Sequence, residues 1–306
     1  MRILMSSFLK IQDSNIRVDG HVLRTARVDG EKYCFLDDPE AVVGGLQRCG
    51  KRVDLFTFMQ RVSDVTPKHA YPMVWDNFAA LPITTYEEWW TNQIGFKARN
   101  KAKQAEKHGV VLREIPYDES LIQGILEIYN ETPIRQGKRF PHYGMTLEQM
   151  RRYLGTFLDR SIFIAALFEE KLIGFIKLTV DESGTQAGLM HILSLMSQRD
   201  KAPTNALLAR AVRSCADRGI PYLVYSNFSY GNKQSDSLSD FKERNGFIKI
   251  DVPRYYVPLT PVGRLAFRLG LHRRLTDILP EDVMTKLREI RSAWYSRKPQ
   301  VSAKVQ

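Results

Sequence analysis

The chain predicts an α+β fold, a mixed, mostly antiparallel sheet flanked by helices. Three observations predict it. Three strand-sized apolar segments, 161–169, 171–181 and 185–197, follow one another with turns at Glu169-Glu170 and Glu182-Ser183-Gly184, the spacing of antiparallel hairpins. Helical and extended segments alternate on both sides of them, so that residues 110–257 read β-α-α-β-β-β-α-β-α-β. A cationic helix that stops at a glycine and runs into a strand occurs twice, at 96–110 and 241–247.

Residues 33–37 and 54–61 are rich in aromatic and β-branched side chains and predict strands. Between them Asp37 and Asp38 precede Pro39, and a helix is expected to run to Cys49 and close at Gly50. Residues 71–84 predict another extended stretch. Thr85-Tyr86-Glu87-Glu88 has the spacing of a capping box and opens a helix over 85–108 with Trp89, Trp90, Ile94 and Phe96 as buried candidates.

Strand 110–115 follows, then helix 120–130 with Leu121, Ile125 and Ile128 on one face. Residues 131–144 carry too much Pro, Gly and polar content for regular structure. Thr146-Leu147-Glu148-Gln149 caps a helix over 146–160. After the three central strands come helix 203–218 closing at Gly219, strand 222–228, helix 235–245 and strand 247–257. A basic helical tail is expected over 263–297.

With 43% hydrophobic and 26% charged residues the composition is that of a globular protein with ample core. The longest apolar runs, such as 162–168, fall well short of the ~18–20 residues that span a bilayer. The first ten residues hold too short an apolar segment for a secretory signal, so a cytoplasmic location is expected. Cys34, Cys49 and Cys215 are odd in number and lack CxxC spacing, which argues against a disulfide framework and against a metal site. The net charge of +11 fits either a basic exterior or a polyanionic ligand such as a nucleotide, coenzyme A, tRNA or an anionic lipid surface.

Lys97-Ala-Arg-Asn-Lys-Ala-Lys-Gln-Ala-Glu-Lys-His-Gly-Val110 resembles the KxRNxxxKAxKxGV stretch of FemABX-type transferases, and Phe241-Lys-Glu-Arg-Asn-Gly-Phe247 is similar to their FKxxFG segment. The strand and helix order resembles the GNAT acyltransferase fold, two copies of which make up a FemABX protein. The resemblance covers about residues 50–258. It implies a GNAT-like domain at 94–258, a truncated GNAT-like half within 1–93, and a separate basic tail at 259–306. It also implies transfer of an acetyl or acyl group from acyl-CoA to a small-molecule amine acceptor. Aminoacyl transfer from tRNA to an anionic envelope precursor is the second reading. A non-catalytic protein binding nucleic acid or an anionic membrane surface is the third.

In GNAT enzymes a glycine-containing loop opens the helix that binds the coenzyme A pyrophosphate, because a helix N-terminus offers main-chain N–H groups and a favourable dipole. Here that loop falls on 199–204. The resemblance implies donor contacts at Leu195, Met196, Arg199, Lys201, Thr204, Asn205 and Lys242. Ala202 and Thr204 replace the two glycines, Pro203 removes a donor, and Asp200 is placed to cap the helix, all of which is expected to restrict the loop.

The chemistry needs a neutral amine. Holding a lysine-like amine neutral at pH 7 costs roughly 4–5 kcal/mol unless a base takes its proton. His191, on the strand where the family places such groups, is the candidate base. Lys242 stands where the family has its tyrosine acid, so Tyr225 or Tyr230 is expected to serve instead. Acceptor recognition is expected from Asn130, Glu131, Arg135, Gln136, Arg139, His142 and Tyr143 in the 130–144 segment, with Asn227 beyond the fifth strand. Arg135 and Arg139 can bind a carboxylate or phosphate in bidentate fashion.

Overall fold

A computed structural model describes residues 6–135, 137–229 and 237–272. Gln136, Tyr230 and the basic tail after residue 272 lie outside the described residues.

The N-terminal part forms three short strands, β1 (Ser7–Ile11), β2 (Ser14–Asp19) and β3 (Thr25–Val28), paired antiparallel. Sequence reading missed all three, and residues 33–37, expected to be a strand, are irregular. Helix α1 (Pro39–Arg48) starts as expected, with Asp38 accepting from Ala41 N and Pro39 in the first turn. It leads to β4 (Leu55–Met59), which runs parallel to β3, and then to β5 (Met73–Pro82).

The expected helix over 85–108 is broken. Thr85 caps a three-residue turn, α2 (Tyr86–Glu88), but Glu88 turns to Asn92 rather than back to the cap. A π-helical turn at Trp89–Gln93 follows, Ile94 is extended, and α3 (Phe96–Lys107) begins afresh after Gly95. Its small buried side chains, Ala98, Ala102 and Ala105, let it lie close on the helix that follows β11.

The C-terminal part then runs β6 (Val111–Ile115), α4 (Glu119–Asn130), a small hairpin of β7 (Ile134–Arg135) and β8 (Lys138–Arg139), α5 (Leu147–Leu154), β9 (Ser161–Phe168), β10 (Lys171–Val180) and β11 (Ala187–Ser194). Helix α5 carries the full capping box of Thr146 and Gln149, but ends at Leu154, with a 3₁₀ turn at Leu158–Arg160 in place of its expected last turns. Another 3₁₀ turn, Met196–Lys201, leads into α6 (Pro203–Asp217), followed by β12 (Tyr222–Asn227), α7 (Ser237–Arg244), β13 (Ile248–Pro258) and α8 (Pro261–Arg268).

Eleven of the strands form one sheet, in the order β1-β2-β3-β4-β13-β5-β12-β11-β10-β9-β6. The order nearly mirrors itself about its middle. From either end an antiparallel triplet (β1–β3 or β9–β11) is followed by a parallel step through a helix (α1 or α6) to one more strand (β4 or β12). Next to that strand lies a strand from the other half: β13 pairs with β4, and β5 pairs with β12. β5 and β13 are antiparallel to each other from Ile248↔Ala80 to Tyr255↔Met73. The halves have thus exchanged strands. Only the C-terminal one carries β6, α4 and α5.

Successive residues of β9 divide the core. Ile164 packs with α3 and α6 on one face, and Phe163 with α4 and α5 on the other, as strand alternation requires.

Candidate active site

Among the described residues of the C-terminal half, β11 and β12 are the neighbouring strands that run parallel, and their register holds only at Ala187↔Leu223 and Gly188↔Val224. Beyond those two pairs they part. At the same point β11 carries a bulge: Lys177 faces His191 and Leu178 faces Leu189, so Met190 is an extra residue without a ladder partner on β10. A bulge frees main-chain groups and re-aims side chains. Here it turns both Met190 and His191 toward the α5 face, the first against Thr156 and Thr179, the second against Tyr153 at 4.6 Å between ring centroids. On the other strand Ser226 is in the left-handed region, at φ 51°. Non-glycine residues in that region commonly mark functional sites.

His191 sits in an apolar and aromatic surround. Tyr153 links it to His142, Tyr129 and Phe140. Burial, then the charge of Lys177 and the nearness of His142, push its pKa down to about 4, so the imidazole is neutral at pH 7. Its Nε2 is buried and has no hydrogen-bond partner. Lys177 is fully buried, and burial pulls its pKa down to about 8. Its ammonium donates to Leu154 O (2.7 Å), Thr156 O and Thr156 Oγ1, acceptors that oppose that shift and tie β10 to the end of α5.

The N-terminal half reaches this place through the segment after β3. A Cβ at Gly188 would stand 2.4 Å from the Tyr33 ring, so Tyr33 lies directly on the last paired residue of β11. Lys32 Nζ lies 2.6 Å from Ser226 Oγ and 3.4 Å from Asn227 Oδ1. Arg160 fixes the segment by donating to Tyr33 O and Val180 O. Sequence reading missed Lys32 and Tyr33, because no local pattern distinguishes them; only the exchanged strands bring them here.

The expected site residues divide into several groups. His191 and His142 stand in the same aromatic cluster. Tyr225 packs against Phe241 and Phe247 on the α6 and α7 face, across the sheet from His191. Asn227 is buried and donates to Asn77 O. Lys242, fully buried, donates to Asn227 O and Phe228 O and lies 5.2 Å from the Tyr225 ring centroid, holding the end of β12.

Glu131 and Arg135 are committed internally. Glu131 accepts from Met196 N and Ser197 N, Arg135 donates to Ser194 O and Ile128 O, and the two side chains meet at 3.3 Å. Together they brace the turn that leaves β11, a supporting task that the sequence does not announce. Asn130 closes its own loop, accepting from Gly144 N and donating to Met145 O. Arg139 and Tyr143 are exposed.

The loop that enters α6 does curl despite lacking glycine. Ala202 itself takes the left-handed conformation, φ 52° and ψ 41°, and Pro203 occupies the first turn. Asp200 does not cap the helix: Ala202 holds the cap position and makes no side-chain cap. Asp200 pairs instead with Lys201, whose ammonium lies 4.6 Å from the Phe168 ring centroid. Leu195 N donates to Ile173 O, Thr204 Oγ1 meets Ser194 Oγ at 2.9 Å, and Arg199 is exposed.

Burial pushes the Cys34 thiol up to about 11, with Glu182 adding to it, and raises Cys215 to about 12, so neither is a thiolate nucleophile at neutral pH. Among the described residues no three His, Cys, Asp or Glu side chains converge as metal ligands, and no helix is long and apolar enough to cross a membrane.

No family model matches the chain, and no curated protein matches it. Solved structures do. FemX is similar at TM-score 0.58 and 9% identity, covering 86% of this chain and 90% of that one. L-PGS from Bacillus licheniformis is similar at TM-score 0.55 and 11% identity, covering 88% and 90%. The C-terminal domain of an Agrobacterium fabrum protein assigned as a lysylphosphatidylglycerol synthetase gives TM-score 0.54 and 12% identity, covering 86% and 87%. The chain shares the fold of FemX and L-PGS over most of its length.

Proposed function

We propose that the chain is an N-acyltransferase that seats an activated acyl donor where β11 and β12 part and delivers the acyl group to an amine held on the α5 face. The observation that carries this reading is the two-residue register of β11 and β12 beside the Met190 bulge. A parted pair of parallel strands exposes main-chain groups that can hydrogen-bond a carbonyl oxygen as negative charge develops on it. The acceptor nitrogen attacks the acyl carbon, the N–C bond forms, and the bond from carbon to the donor's sulfur or oxygen breaks. Nitrogen becomes far more acidic as it is acylated, so neutral His191, with Nε2 unpartnered, is suited to take that proton. The leaving thiolate or alkoxide takes a proton in turn.

For the donor, acyl-CoA is supported by the left-handed turn at Ala202, which gives the 199–204 loop the bend that glycine provides elsewhere. Aminoacyl-tRNA is the second reading, favoured by the likeness in fold to FemX and L-PGS over almost the whole chain. On either reading the acceptor faces Lys32, which suits an anionic small metabolite or envelope precursor.

Thermal unfolding with acetyl-CoA or with aminoacyl-tRNA tests both. A ligand at ~100 times its dissociation constant stabilises by roughly 2.7 kcal/mol. The donor that raises the melting temperature should then support transfer to an amine panel, followed by thiol release or by loss of label from tRNA. If neither donor shifts the melt while anionic vesicles or bulk nucleic acid do, the transfer reading fails and the non-catalytic one replaces it.

A further inference from the structure

Helix α8 presents a bare apolar stripe. Val262, Leu265 and Leu269 are 45%, 59% and 64% exposed, and Leu271 just beyond them is 61% exposed. Their spacing of three and four residues puts the first three on one side of the helix and its C-cap. Large apolar side chains scattered singly over a surface are ordinary, but a run of this kind marks an interaction face.

The other side of α8 is fixed to the sheet. Ala266 is buried, and the Phe267 ring lies 5.8 Å from that of Tyr256 on β13. A Cβ on Gly263 would collide with Asp54 O, so the helix backbone lies directly on the residue before β4. Thr260 accepts from Gly263 N and donates to Asp54 Oδ1, which locks the first turn. Rolling the stripe inward would break all of these contacts, so the stripe stays outside.

Its border is cationic. Arg264 and Arg268 are exposed, one turn apart, beside the leucines. From Val252 to Thr276 the sequence holds no Asp or Glu. Asp54, the carboxylate at the helix cap, is fully buried and taken up by Arg24 N, Arg52 and Thr260. Guanidinium groups along an apolar stripe, with no carboxylate among them, match the boundary between acyl chains and anionic head groups. Residues 273–306, which follow directly in the chain, carry eight Lys or Arg against four Asp or Glu. That charge disfavours their lying along Arg264 and Arg268 and adds to the attraction of an anionic surface.

We propose that α8 is an interfacial helix that docks the chain on an anionic membrane surface. Val262, Leu265 and Leu269 enter the acyl boundary, and Arg264 and Arg268 meet head-group phosphates. Docking goes beyond acyl transfer and needs neither donor nor acceptor.

Flotation of the full chain with vesicles tests it. Mixed phosphatidylcholine–phosphatidylglycerol vesicles should carry the parent chain, and pure phosphatidylcholine vesicles should carry far less. Arg264→Gln with Arg268→Gln should weaken binding to the mixed vesicles about thirtyfold, the weight of two cations near such a surface. Leu265→Ser with Leu269→Ser should weaken it at least ~tenfold. Neither pair should lower the melting temperature without vesicles, because all four side chains are exposed. If the parent fails to float, or if both double variants float as it does, the proposal is overturned. A lower melting temperature of the Leu265→Ser, Leu269→Ser variant without vesicles also overturns it, because the stripe is then covered by residues 273–306. A dimer that this variant splits, seen by sedimentation, overturns it in favour of a second copy. Each of these failures leaves the transfer reading standing, since donor binding is read in the absence of lipid.

Discussion

Lys32 Nζ lies 2.6 Å from Ser226 Oγ, so a side chain of the N-terminal half touches the strand that parts from β11 in the C-terminal half. Ser226 is also the residue of β12 held at positive φ. The contact makes the proposed reaction chamber a joint product of both halves. Replacing Lys32 by Met keeps the length of the side chain and removes the charge. The expected result is a fall in kcat/KM of ~10- to 100-fold, mostly in KM for an anionic acceptor, with a melting temperature within about 2 °C of the parent. An unchanged kcat/KM would show that Lys32 does not face the acceptor.

The sequence assigns Arg135 to acceptor recognition. Its bonds to Ser194 O, Ile128 O and Glu131 predict something else. Arg135→Ala leaves buried acceptors unpaired and should destabilise by about 2–4 kcal/mol, read as a shift in the urea midpoint. Because the turn it braces leads from β11 into the 199–204 loop, donor and acceptor affinities should fall together. Loss of acceptor affinity alone would restore the simpler role.

His191 gives a pH dependence whose sign is fixed. Its pKa is about 4 in the folded chain and near 6.5 when unfolded, so the unfolded chain binds more protons between those values. Its contribution to stability is complete above pH 6.5 and is lost as the pH falls toward 4, by at most ~2 kcal/mol between pH 6.5 and 5. His191→Leu should flatten that part of the stability–pH curve relative to the parent and should also lower kcat. A parallel pair of curves would mean the imidazole is freely protonated in the folded state.

Arg254 of β13 is buried and donates to Asp76 of β5 at 2.7 Å, to Glu31 at 2.8 Å and to Thr57 of β4 at 3.4 Å. Arg254→Met strands two carboxylates at the seam between the halves. The expected cost is about 3–5 kcal/mol, measured by chemical denaturation, with a single cooperative transition kept. A loss below 1 kcal/mol would place the strength of the seam in its backbone ladder instead.

What was legible in the sequence was local. The hairpin turns at Glu169-Glu170 and 182–184, the cap at Asp38-Pro39 and the capping box at Thr146 each depend on residues a few positions apart, and all are present. The two basic segments were legible as a pair, though not that they meet, Gly95 N donating to Arg244 O. Strands β1 to β3 were missed because they are short and carry polar residues at alternate positions, such as Arg17 and Arg27. The break at Ile94 and Gly95 was hidden because a capped, periodic stretch predicts continuity, whereas Gly95 must pass within van der Waals contact of Arg244. The strand exchange and the Lys32–Ser226 contact join residues nearly 200 positions apart, and no window along the chain contains both.

The placement of β13 has a temporal consequence. Residues 248–258 fill the slot between β4 and β5, which leave the ribosome roughly 200 and 170 residues earlier. Until that last strand arrives, two apolar strand edges must wait unjoined, a condition that invites pairing with other chains. Nascent chains released just short of residue 248 should therefore aggregate or be held by chaperones, while chains extended past residue 258 close in one late step.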